Sequence, residues 1–136
     1  MADPRHPRGL IDTSVVIDLE QIESADLPVE LAVSAITMAE LAAGPHATAD
    51  AAERARRQDR LQRAEATFEP LPMDAAVARA YGRVYAAVGS AGRKARGRRA
   101  VDLFIAATAV AAGLPLYTRN PGDFAGLSDM LEIVAV

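Results

Sequence analysis

An α/β fold built on a parallel sheet is predicted by three features of this sequence. Short apolar runs of strand length alternate with longer helix-like stretches from one end to the other. The hydrophobic fraction is 51%, enough for a sizeable core, and only 4% of residues are aromatic, so that core is aliphatic. The 136 residues suit one domain, taken here as 1–136, with no internal repeat and no linker-like segment.

Residues 9–12 read as a short buried strand ending at Asp12. Thr13 or Ser14 is then placed to cap a helix through Val15, Val16 and Leu19. Residues 30–34 form a second strand. Ser34 or Ala35 opens a helix through Ile36, Glu40 and Leu41 that stops near Gly44-Pro45. Residues 48–66 are rich in Ala, Arg, Glu and Gln and free of Gly and Pro, hence helical. Residues 67–71 read as a short strand closed by Pro72. Asp74 caps a long helix through Val77, Tyr81, Val84 and Val88 that ends in the Gly-containing run 89–92. A helix spans about 99–112, with Leu103, Ala106, Ala107 and Val110 on one face, and Gly113 stops it. Residues 115–118 form a strand, 120–123 a turn, and 131–136 a last strand at or near an edge. In parallel sheets of this kind, sites form beyond the carboxyl ends of the strands.

Composition excludes several classes of chemistry. With no Cys, there are no disulfides, thiolate zinc sites or Cys nucleophiles. His6 and His46 are too few and too far apart for a histidine-based metal cluster. No stretch approaches the roughly 20 apolar residues of a membrane span, and the N-terminal residues lack an apolar signal core, so a cytoplasmic protein is expected.

Four acids stand out because of their surroundings: Asp12, Glu40, Asp102 and Asp123. Asp12 ends an apolar strand, Glu40 sits within Ile36 to Leu41, and Asp102 interrupts the run Val101 to Ala107. No Lys or Arg adjoins these three in sequence. A buried carboxylate needs a partner or a metal, since alone it would take up a proton. Each has a plainer reading: Asp12 as a carboxylate preceding a helix, Asp102 as a cap, Glu40 as a surface helix residue, and Asp123 as an Asx turn before Phe124. An all-oxygen set of this kind suits Mg²⁺ or Mn²⁺, hard cations that a few carboxylates, waters and substrate phosphate can hold. Such ions activate water and stabilise phosphoryl charge, which points to phosphodiester chemistry.

The net charge of −3 gives no sign of a nucleic-acid partner, but its distribution does. Arg93, Lys94, Arg96, Arg98 and Arg99 crowd one acid-free segment leading to Asp102 and are candidates for RNA phosphate contact. Without these five, 10 basic residues face 18 acids, a balance of −8. A second basic group, Arg54, Arg56, Arg57, Arg60 and Arg63, is interspersed with Glu53, Asp59 and Glu65 and reads as a solvated helix face. So do Asp18, Glu20 and Glu23. Tyr81 and Tyr85, one helical turn apart, read as packing or dimer contacts.

The order of the motifs carries more information than any one of them. Asp12-Thr13-Ser14-Val15, then Ser34-x-Ile36-x-x-x-Glu40-Leu41, then Asp102-x-x-Ile105-Ala106-Ala107-x-Ala109, and last Thr118-Arg119-Asn120-x-x-Asp123-Phe124 together resemble the PIN-domain family. Within it, the chain is similar to the VapC-type toxins of bacterial toxin–antitoxin pairs. The resemblance implies a three-layer α/β/α sandwich with a central parallel sheet, and a Mg²⁺- or Mn²⁺-dependent ribonuclease. It implies Asp12 and Asp102 as principal metal ligands, with Glu40 binding directly or through water. Many relatives carry another acid where this chain has Asn120, so the fourth position falls to Asn120 or Asp123. Thr13, Ser14 and Thr118 supply hydroxyls around the ligands. A homodimer, an RNA substrate and a cognate antitoxin protein come with the same resemblance.

Two other functions compete. One is a PIN-fold regulatory or interaction module without catalysis, against which the intact acids argue. The other is an aspartate-nucleophile phosphatase, which wants a second Asp two residues after the first, where this chain has Ser14. A nucleotide-binding Rossmann reading fails for want of a glycine-rich loop after the first strand.

Overall fold

The structure is a computed structural model that describes residues 3–90 and 97–136; the side chains of Ser90 and Arg98 are not described. Four strands, β1 (Arg8–Ile11), β2 (Glu30–Ala32), β3 (Leu116–Thr118) and β4 (Ile133–Ala135), form one sheet in the order β2-β1-β3-β4. Every pairing is parallel, with Leu10 opposite both Ala32 and Leu116, and Tyr117 opposite Val134. The expected α/β class with a parallel sheet is therefore the fold observed, and β4 lies at an edge as the sequence suggested.

Strand alternation sorts the core into two halves. Leu10, Ala32 and Leu116 point to one side, where they pack with Val77, Ala80, Val84 and Val88 of α4 (Ala75–Ser90) and Leu103, Ala106 and Ala107 of α5 (Arg98–Ala112). Ile11 and Tyr117 face the other side, against Val15 and Val16 of α1 (Thr13–Ile17), Leu41 of α2 (Ala35–Ala43) and Ala64 of α3 (Ala51–Thr67). A period of two along strands buried on both faces gives this three-layer arrangement.

The caps show which local signals decided the helix starts. Ser34 caps α2, accepting from the Thr37 N–H at 3.0 Å, and Asp74 accepts from Val77 N–H at 3.0 Å at the start of α4. Gly113 ends α5 in the left-handed region at φ 66°, a conformation that favours glycine. The start of α1 differs from expectation. Asp12 is its cap, accepting from the Val15 N–H at 3.1 Å, and Thr13 and Ser14 lie inside the helix. That helix ends at Ile17, with Leu19 in a separate 3-10 turn over Leu19–Gln21. The expected strand at 67–71 is also corrected. Thr67 stays in α3, its hydroxyl donating to Arg63 O at 2.7 Å, and only Leu71 bridges Ser34. Pro70 and Pro72 carry no N–H, so a ladder cannot extend on either side of Leu71.

Two predictions arise from the β1–β3 pairing. A Cβ on Gly9 would lie 2.5 Å from Tyr117 Cε1 and 3.1 Å from Pro28 Cγ. Gly9→Ala is therefore expected to cost about 1–3 kcal/mol by overpacking, readable as a lower denaturant midpoint. Burial pushes the Tyr117 phenol up from its ordinary value of 10.0, and the Glu132 charge adds to the shift. The unfolded chain thus ionises first, so this stabilisation is complete below about pH 10 and fades as pH rises through the folded-state value. Tyr117→Phe is expected to flatten the alkaline limb of the stability curve, and an unaltered limb would contradict it.

Candidate active site

Because all strands run the same way, their carboxyl ends share one edge of the sheet, and the chain leaves β1, β2 and β3 there through Asp12, Ser34 and Arg119. The short turn 113–115 joins the end of α5 to the start of β3, so the N-terminal turns of α5, which hold Asp102, lie towards that same edge. The topology alone places Asp12, Ser34, Arg119 and the Asp102 turn of α5 towards one edge of the sheet.

Side-chain bonds tie much of this region together. Asp12 is only 6% exposed, and its Oδ1 accepts from Ser14 Oγ at 2.6 Å as well as from the Val15 N–H. Both of these bonds are made to Oδ1. Thr13 Oγ1 donates to Glu40 Oε1 at 2.5 Å and so fixes a half-buried acid of α2 beside the start of α1. Thr13 Oγ1 also lies 3.1 Å from Thr37 Oγ1, which is 3.3 Å from Ser34 Oγ. With the single Thr13 proton committed to Glu40, the consistent order runs from Ser34 to Thr37 to Thr13 to Glu40, each hydroxyl accepting one bond and donating the next. Ser34 and Thr37 are fully buried, and this chain satisfies them.

The turn after β3 is joined once to α1 and once to its C-cap, Asp18. The Arg119 N–H donates to Ser14 Oγ at 3.1 Å, and Arg119 Nε pairs with Asp18 Oδ2 at 3.3 Å. Asp18, read from sequence as part of a solvated face, therefore holds the 119–120 turn in place. The available signal was its spacing, since Asp18 follows Ser14 by four residues, one helical turn on. Thr118 is fully buried, and its Oγ1 accepts from the Asn120 N–H at 3.0 Å. Asn120 and Asp123 are exposed on the 3-10 turn Pro121–Phe124 and its cap. Asp102 is half-buried on α5, within a turn of Ile105 and Ala106, which are buried.

Arg93, Lys94 and Arg96 lie outside the described residues, as does the Arg98 side chain; Arg99 is half-buried in the first turn of α5, three positions before Asp102. His46 is exposed in a 3-10 turn, and His6 pairs with Glu132 at 2.8 Å at the opposite end of the strands. Tyr81 stacks on Phe104 at 4.1 Å, so it packs the α4–α5 interface, while Tyr85 is 55% exposed.

Among the described residues, no three His, Cys, Asp or Glu side chains converge as a ready-made metal cage. The donor chemistry nevertheless fits Mg²⁺ or Mn²⁺. The region offers carboxylate, amide and hydroxyl oxygens and no soft ligand, and Mg²⁺ characteristically uses one or two carboxylates and keeps its waters or substrate phosphates.

A parallel sheet with helices on both faces, and acids with partnering hydroxyls at its carboxyl edge, define the class of protein. The chain matches the PIN-domain model over residues 10–128 and belongs to the PIN-domain family. It is 37% identical over 133 residues to Ribonuclease VapC5 of Mycobacterium tuberculosis (strain ATCC 25618 / H37Rv), covering 94% of this chain and 95% of that protein. It is 40% identical over 102 residues to Ribonuclease VapC8 of M. tuberculosis (strain CDC 1551 / Oshkosh), covering 74% of this chain and 89% of that protein. It is also similar to a chain in the crystal structure of VapBC-5, a member of the VapBC family of toxin–antitoxin systems from M. tuberculosis. That match has a TM-score of 0.84 and 36% identity, covering 96% of this chain and 99% of that one. No helix among the described residues is long and apolar enough to cross a membrane.

Proposed function

We propose that this protein is a divalent-metal-dependent endoribonuclease and the toxin of a type II toxin–antitoxin pair. The observation that carries this reading is the placement of Asp12 at the edge where the parallel strands end, with Glu40 held by the hydroxyl of Thr13, the next residue in the chain. The similarity to VapC ribonucleases and to a VapBC structure supports it.

In this reading Asp12 and Asp102 hold the cation, with Glu40 and either Asn120 or Asp123 completing the oxygen set. A bound Mg²⁺ or Mn²⁺ supplies an activated water and neutralises charge on the phosphoryl oxygens. The protein's share is positioning. Ser14 and the Val15 N–H fix the Asp12 carboxylate through Oδ1, and Thr13 holds Glu40 through Oε1, leaving Glu40 Oε2 to orient the attacking water. Attack forms one phosphorus–oxygen bond as the bond to the leaving nucleoside oxygen breaks, and that oxygen takes up a proton. The basic segment holding Arg93, Lys94, Arg96, Arg98 and Arg99 is assigned to phosphate contact, and Thr118 to fixing the Asn120 turn. A homodimer, a cognate antitoxin that closes the acidic region, and a cytoplasmic location belong to the same reading.

Hydrolysis by water makes no use of the substrate's 2′-hydroxyl. An RNA oligonucleotide with one 2′-deoxy substitution at the scissile nucleotide is therefore expected to be cut at that position. Loss of cutting there, with cutting of the all-RNA oligonucleotide retained, would favour attack by the 2′-hydroxyl and overturn this mechanism.

A further inference from the structure

The inward stripe of α3 is unusual. Towards its C-terminus it is apolar, with Leu61, Ala64 and the C-cap Phe68 packed into the core beside Ile11 and Tyr117, whereas the preceding turns carry Glu53, Arg57 and Arg60, each partly buried. Charges on an inward helix face are costly unless they are paired or line a wet cavity. Arg57 is paired, donating to Gly44 O at 2.9 Å and lying 3.6 Å from Glu53. Further along, Arg63 pairs with Glu20 at 2.8 Å and with Asp59 at 3.3 Å. Arg60 makes no hydrogen bond or ion pair among the described residues.

Arg60 lines two cavities that meet at it. One, of about 360 Å³, is also lined by Thr13, Glu40 and Arg57. The other, of about 390 Å³, continues along α1 past Ile17 towards Phe68. Each has the size of a small-ligand site. Together they make a groove that starts at the Thr13–Glu40 pair and runs between α1 and α3. The groove is lined by Asp18, Glu20, Glu40 and Glu53 and by Arg57, Arg60 and Arg63. Arg57 and Arg63 have acid partners, so Arg60 is its unpaired arginine among the described residues, and a cation that neutralised Glu40 would leave it dominant.

We infer that Arg60 is a substrate-binding residue that contacts a phosphate of the RNA strand next to the one cleaved, with the strand leaving the acidic edge along the α1–α3 groove. A guanidinium is suited to this task because it stays charged and grips phosphate oxygens through two N–H groups. Ile17, which is 45% exposed, and Phe68 give the groove an apolar stretch against which the attached base can rest. This inference rests on the ribonuclease reading above, and it moves the substrate path to a helix that sequence alone marked as solvated surface.

The test compares wild type, Arg60→Gln and Arg60→Lys on one single-stranded RNA oligonucleotide that the wild type cuts. Arg60→Gln breaks no ion pair, so its thermal midpoint is expected to stay close to wild type. Its KM is expected to rise roughly tenfold, the scale of one charge-assisted hydrogen bond, with a smaller change in kcat. Its logarithmic salt dependence of binding is expected to become shallower by about 0.7, one phosphate contact on a single strand. Arg60→Lys keeps the charge and is expected to keep the wild-type salt slope. Unchanged KM and salt slope in Arg60→Gln, with wild type active, would overturn the inference alone. So would unchanged RNA binding with a weakened complex with the antitoxin, which would make the groove a protein-docking surface. Failure of the wild type to cut any RNA would instead overturn the ribonuclease reading.

Discussion

Asp12→Asn is expected to leave the protein folded and to abolish most RNA cleavage. The side chain has two tasks in the structure, and this substitution separates them. As the cap of α1, Asp12 accepts from the Val15 N–H and from Ser14 Oγ through Oδ1. An asparagine oxygen can accept both bonds, and Asn is as good a cap as Asp, so the fold should lose little. As a cation ligand it would lose the negative charge. The expected fall in cleavage rate is roughly 100-fold or more, the scale of removing one preorganised electrostatic group. Asp12→Ala should lose activity and in addition cost about 0.5–2 kcal/mol, because the cap goes too. Thermal melts beside cleavage assays read both quantities. Near-wild-type cleavage by a folded Asp12→Asn protein would remove Asp12 from the catalytic set.

Phe124→Ala is expected to have the largest effect on stability among the residues near the site. Phe124 is 1% exposed and packs into the core shared by α4, α5 and β1, directly after Asp123. Truncating a buried Phe costs about 3–5 kcal/mol, a large part of the roughly 5–15 kcal/mol that holds a domain of ordinary stability. The same ring anchors the 3-10 turn that follows β3, so the geometry of Asn120 and Asp123 should loosen as well. Denaturant unfolding reads the first effect. The second should appear as reduced cleavage measured well below the melting temperature. A loss under about 1 kcal/mol would mean that the turn is not anchored as the structure shows.

The sequence was most legible where a local rule and the tertiary context agreed. Asp74 caps a helix and Gly113 ends one in the left-handed region that favours glycine, both as expected, and of Ser34 and Ala35 it is Ser34 that caps its helix. Asp12 was less transparent because strand end, cap and ligand demand the same residue type at the same place. A serine and a threonine directly after it offered equally good caps. The strand expected at 67–71 failed because Thr67 found a helical partner in Arg63 O, a choice that composition does not reveal. The individual acids were visible as carboxylates embedded in apolar sequence. Their hydroxyl partners were visible only in part. The Thr13–Glu40 bond joins positions 27 apart and the Ser14–Arg119 bond positions 105 apart, distances that no periodicity encodes. Arg60 was hidden for the converse reason: its neighbours Arg57 and Arg63 have the composition of a solvated face, and only their pairing singles it out.

Cleavage of total cellular RNA by the purified protein, in Mg²⁺, in Mn²⁺ and in EDTA, beside Asp102→Asn, addresses the metal-dependent ribonuclease assignment most directly. Discrete fragments that require a divalent cation and disappear in Asp102→Asn are the expected result. Cleavage that persists in EDTA or in Asp102→Asn, or no cleavage of any RNA by a folded, cation-loaded protein, would contradict it.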